Sequence, residues 1–77
     1  MVEPQRTVYG GVDTHKEFHV VAVIDDVGRI LGTETFPATS AGYRRLKRWL
    51  EGHGEVAKVG IEGTGSYGLG LARFLSA

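Results

Sequence analysis

The chain has 77 residues, enough for one small domain that buries only about 60% of its unfolded surface. Lys plus Arg and Asp plus Glu number 9 each, so the net charge is zero and any nucleic-acid patch has to be local. There is no cysteine, which excludes disulfide scaffolds and thiolate metal sites and is compatible with a reducing compartment; no apolar run approaches the roughly 18 residues of a membrane span, and Met1 to Thr7 holds no apolar signal segment.

Residues 7–13 (TVYGGVD) predict a first strand, and residues 17–25 (EFHVVAVID) a second, rich in Val and Ile. Asp25-Asp26-Val27-Gly28 is a turn sequence in which Gly supplies a positive φ, so residues 29–36 return as a third strand of a hairpin. Pro37 has no N–H for a ladder and ends it. Thr39 or Ser40 caps a helix whose apolar stripe is Tyr43, Leu46, Trp49 and Leu50, with Arg44, Arg45, Lys47 and Arg48 on the remaining surface. Gly52 and Gly54 stop that helix. Residues 56–62 (VAKVGIE) predict a fourth strand, residues 63–66 a loop, and residues 67–75 a second helix weakened by glycine.

The order is β-β-β-α-β-α. A three-strand meander followed by a helix crossing to a strand parallel to the first opens a ribonuclease H-like α/β fold. Strand four then lies beside strand one. Asp13 and Glu62, each closing an apolar strand, become neighbours at the sheet edge where open α/β sheets bind ligands. Such a sheet normally has a fifth strand, so the chain is expected to be a fragment cut short at Ala77 or completed by a partner.

Two carboxylates at one sheet edge repel, and a divalent ion relieves the repulsion; phosphoryl-transfer sites use acids in this way. Gly11 and Gly60, two residues before each acid, leave a floor on which a phosphate or sugar can approach closely. The plain alternative is that the acids are solvated strand ends and the glycines make room for a helix. The loop Gly63-Thr64-Gly65-Ser66-Tyr67 offers amides, hydroxyls and a ring to a phosphate and a base, or is simply a strand-to-helix connection. Lys16 can reach a phosphate from the first turn, or is simply a solvated turn lysine. Arg44, Arg45, Lys47 and Arg48 can follow a nucleic-acid backbone, or form the wet face of an amphipathic helix. His15 and His19, four apart, are a weak metal-ligand spacing, and His53 is remote from both.

Gly-Val-Asp-x-x-Lys at residues 11–16 and Glu-x-Thr-Gly-x-Tyr at residues 62–67, in that order and with the hairpin and the Trp-bearing helix between them, resemble the N-terminal RuvC-like domain of the DEDD-type transposases of bacterial insertion sequences (the IS110 class). The resemblance runs from about Val8 to Leu75. It implies a ribonuclease H-like, RuvC-like fold in which four acids hold Mg2+ or Mn2+ for DNA strand cleavage and exchange. By resemblance Asp13 is the first acid and Glu62 the second, and both are catalytic and metal-binding. Lys16, Thr64, Tyr67, Arg44, Arg45 and Arg48 are then nucleic-acid-binding.

The last two acids and a C-terminal domain with a cleavage serine lie beyond residue 77 in the family. Residues 1–77 are therefore expected to be the N-terminal part of the catalytic domain and inactive alone. The implied partners of the full-length parent are DNA and a guide RNA, with no membrane. The implied setting is the bacterial cytoplasm at the nucleoid. The open sheet edge suggests a homo-oligomer. Two other readings stand beside this one. One is a nucleotide-binding half-domain of the sugar-kinase and actin-like class, against which Thr14-His15-Lys16 replaces the usual phosphate turn. The other is a non-catalytic, self-associating remnant.

Overall fold

Alternation of inward and outward side chains sets the first two strands. The computed structural model describes residues 6–63 and 67–76. β1 (Thr7–Thr14) buries Val8, Gly10, Val12 and Thr14 and exposes Gly11 and Asp13. β2 (Phe18–Asp25) buries His19, Val21, Val23 and Asp25 in the same rhythm. β3 (Ile30–Pro37) ends on the expected proline.

The β2–β3 turn is stapled by Asp25. Its Oδ1 accepts from the amides of Val27 (3.1 Å) and Arg29 (2.9 Å), and its Oδ2 from Arg29 Nε (3.1 Å). The Arg29 amide, with smaller help from the Val27 amide and the guanidinium, holds this carboxyl below its ordinary range against the opposing effect of burial. Gly28 closes the turn with φ 86°, the left-handed region predicted for it.

α1 (Ser40–Glu51) begins where Thr39 Oγ1 accepts from the Gly42 amide at 3.0 Å. Its predicted stripe is the packed face: Leu46 and Leu50 are buried and Tyr43 and Trp49 half-buried, while Arg44, Arg45, Lys47 and Arg48 are exposed. Gly52 caps its C-terminus through bonds to the Arg48 and Leu50 carbonyls. β4 (Glu55–Glu62) follows, parallel to β1. α2 (Leu69–Ser76) starts two residues later than the sequence predicts. Its first helical bond runs from the Ala72 amide to the Gly68 carbonyl, so Tyr67 and Gly68 remain in the turn before it.

The sheet order is β3-β2-β1-β4, with β2 antiparallel to both of its neighbours. Leu46 and Leu50 of α1 and Leu71 of α2 join Val8, Val12, Val21, Val23 and Phe36 in one core. Burying each of these leucines contributes about 1.5–3 kcal/mol. Both helices therefore cover the same face of the sheet. The other face carries no helix among the described residues, and it is the face to which Gly11, Asp13, Gly60 and Glu62 belong. Among the described residues no helix is long and apolar enough to cross a membrane.

Candidate metal centre

Strand register brings the two acids together. In the β1–β4 ladder Asp13 is the partner of Glu62, Val12 of Ile61 and Gly11 of Gly60. Adjacent strands lie about 4.8 Å apart, so the two carboxylates leave the same sheet edge side by side. Both are exposed, the Asp13 side chain to 68%. Beneath them the floor is bare. A Cβ on Gly11 would meet nothing within 4 Å, and one on Gly60 only the Gly10 carbonyl oxygen at 4.0 Å. The result is a shallow concavity of about 430 Å3 lined by Gly11, Asp13, Val20, Ala22, Gly60 and Glu62, among others.

Two contacts fix the rim. Thr14 Oγ1 donates to the Glu62 carbonyl at 3.0 Å and ties the end of β4 to β1. Beside it, His15 Nε2 lies 3.1 Å from Asp13 Oδ2. The other sequence-predicted residues are distributed unevenly around this centre. Lys16 is exposed in the β1–β2 turn, three residues past Asp13. Tyr67, 44% exposed, stands at the entrance to α2. Thr64 lies outside the described residues.

Arg44, Arg45 and Arg48 sit on α1, in the layer on the opposite face of the sheet from the acids. The His15/His19 spacing does not produce a ligand pair. His15 stays at the rim, whereas His19 is fully buried in the core, stacked on Tyr43 with ring centroids 5.9 Å apart. His53 lies in the turn after α1, its Nδ1 2.8 Å from the Trp49 carbonyl.

Two roles escape the sequence reading. His15 is the hydrogen-bonding partner of Asp13, and the signal for it is its place two residues on, just inside the turn. Lys58, opposite Tyr9 in the ladder, is exposed in the same alternation as Gly60 and Glu62, which a strand assignment from residue 56 already implies.

No group of three potential ligands forms among the described residues. The donors present nevertheless fit Mg2+. It is a hard ion that keeps several waters and takes one or two carboxylates plus substrate phosphates, not a full protein cage. Two exposed carboxylates above an open floor meet that requirement.

A β3-β2-β1-β4 sheet with a parallel β1–β4 pair, an acid at the end of each member and the helices on one face is the ribonuclease H-like arrangement. Comparison with known proteins narrows the class. The transposase family of the DEDD, IS110 type matches residues 10–77, and the chain belongs to that family. It is also 36% identical over 61 residues to a Streptomyces coelicolor protein named "Mini-circle putative transposase for IS117". That match covers 79% of this chain and 15% of the relative, so the chain spans a small part of the length of the protein it matches.

Proposed function

We propose that Asp13 and Glu62 hold a divalent ion, Mg2+ or Mn2+, for phosphoryl transfer on DNA in a longer transposase, of whose catalytic domain residues 1–77 are the N-terminal part. The observation that carries this reading is the Asp13–Glu62 pairing in the β1–β4 ladder beside the Gly11–Gly60 pair, which carries no side chains. When bound, the ion supplies Lewis-acid stabilisation of charge on phosphoryl oxygens. The chain's own residues do the rest. The two carboxylates position the ion, the Gly11–Gly60 floor lets a sugar-phosphate backbone lie close to it, and Lys16 meets a neighbouring phosphate. Tyr67 offers a ring face to a base. With two acids rather than four, the 77 residues alone bind metal weakly and do not cleave DNA. DNA is the proposed substrate, at the nucleoid of a bacterial cell; a guide RNA and self-association through the free edge of β4 extend the same proposal.

The nucleotide-binding alternative is disfavoured by Thr14. In a phosphate turn its hydroxyl would face the ligand, whereas here Thr14 is buried and its hydroxyl is committed to the Glu62 carbonyl. The test is Mn2+ titration of the 15N-labelled chain. Paramagnetic broadening should concentrate on the amides of residues 11–13 and 60–62 and vanish from them in Asp13→Asn and Glu62→Gln. Broadening that both variants leave unchanged would refute the proposal.

A further inference from the structure

The Asp13 carboxylate is exposed, and a carboxylate at a strand end turns freely about its last torsion unless something holds it. Among the described residues its one hydrogen-bonding partner is His15. A carboxylate only accepts, so Nε2 of His15 donates and the proton is assigned to that nitrogen. The residue is itself held twice, through its backbone and through its ring. The His15 amide donates to the Phe18 carbonyl at 3.0 Å, closing the β1–β2 turn. Its ring lies flat on the Phe18 ring, with centroids 4.5 Å apart and planes at 17°. Phe18 is one of the few large apolar side chains left exposed, at 42%, and this stack gives it a role there.

We infer that His15 is a positioning residue for the metal centre: it would fix Asp13 through Oδ2 and leave Oδ1 available to a cation, with Phe18 as the plate that holds the imidazole in place. The inference rests on the metal-binding reading of Asp13 and Glu62. It differs from a ligand role for His15, because Nε2, the nitrogen nearest the site, carries its proton toward Asp13 and has no lone pair to offer a metal. Partners that orient metal-ligating groups are worth about 10- to 100-fold in affinity; here the side chains are 44% (His15) and 68% (Asp13) exposed, and screening by water places the effect at about three- to tenfold.

The experiment extends the Mn2+ titration to His15→Ala and His15→Gln, each also made in the Asp13→Asn background. His15→Ala should raise the Mn2+ dissociation constant about three- to tenfold while the thermal midpoint stays near that of the wild type. His15→Gln, whose amide can donate in the same direction, should restore most of the loss. In the Asp13→Asn background neither substitution should have a further effect. If His15→Ala binds Mn2+ as the wild type does while Asp13→Asn does not, His15 has no positioning role and the metal reading survives. If the wild type and Asp13→Asn behave alike, the metal reading fails and this inference fails with it.

Discussion

His19 should make the chain sensitive to mild acid. The residue is fully buried in β2, between Thr14 of β1 and Phe36 of β3 in the ladder and under Tyr43 of α1. Neither ring nitrogen has a hydrogen-bonding partner among the described residues. Burial therefore pushes its pKa down from the ordinary 6.5; the Phe18 backbone opposes this in part and the nearby His15 adds to it. The sign follows directly. Above pH 7 the imidazole is neutral in both states and costs nothing in charge. Below pH 6.5 the unfolded chain takes up a proton more readily than the folded chain does, so stability falls with pH, at up to about 1.4 kcal/mol per unit.

Between pH 7.5 and 5.0 the loss reaches at most about 2 kcal/mol, for a folded ring that stays neutral throughout. A domain of this length has about 4–12 kcal/mol in total, so the effect is large. His19→Phe keeps the stack on Tyr43 and removes both unpartnered nitrogens. It should stabilise by about 1 kcal/mol at pH 7.5, release from the desolvation cost being partly offset by the larger ring. Urea unfolding followed by Trp49 fluorescence should show that gap widening by up to about 2 kcal/mol at pH 5.0. The lowered Asp25 carboxyl does not confound the comparison. Its contribution is lost only as pH falls through its depressed pKa, below about pH 4, and is common to both proteins. A gap that does not change with pH would refute the reasoning, because it would mean the ring is open to water or partnered.

Two further outcomes test the division of the sheet into a packed and an open face. A Cβ on Gly10 would press on both methyls of buried Leu50 at 3.2 Å, whereas one on Gly11 meets nothing within 4 Å. Gly10→Ala should lose about 1 kcal/mol in urea melts and Gly11→Ala should gain about 0.5–1 kcal/mol; the same sign for both would contradict the assignment of faces. Replacing Arg44, Arg45 and Arg48 together by alanine should leave Mn2+ broadening at Asp13 and Glu62 unchanged. If all three arginines touch phosphates, it should also flatten the log–log salt dependence of DNA binding by up to about 2.7. An unchanged salt dependence would identify the basic face of α1 as a solvated surface only.

What was legible in the sequence is what short-range rules govern. The Asp13–Glu62 pairing followed from strand order and from the acids' equivalent places at two strand ends, and period-two alternation put Gly11 and Gly60 on their face. The Thr39 cap and the Gly28 turn were readable because single residue types answer single backbone needs. The rest depends on which side of the sheet the helices take. Periodicity marks His19 as lying in line with Val21 and Val23, yet its chemistry suggested a metal ligand, and only the packing of Tyr43 over it makes it a core residue. The same packing decides what the basic residues of α1 can do.

Helix and sheet edge are close in a linear reading, but the core of Val8, Val12, Val21, Val23, Leu46 and Leu50 lies between the Arg44–Arg48 surface and the acids. One straight duplex cannot rest on both faces of a sheet. If Asp13 and Glu62 meet a DNA strand, the arginines of α1 meet a different stretch of nucleic acid or none. The face that the acids share with Gly11, Gly60 and Lys58 is then where the residues that handle the reacting strand belong. On that face Lys58 is the cation that the strand register adds, four residues before Glu62 and in the same exposed alternation.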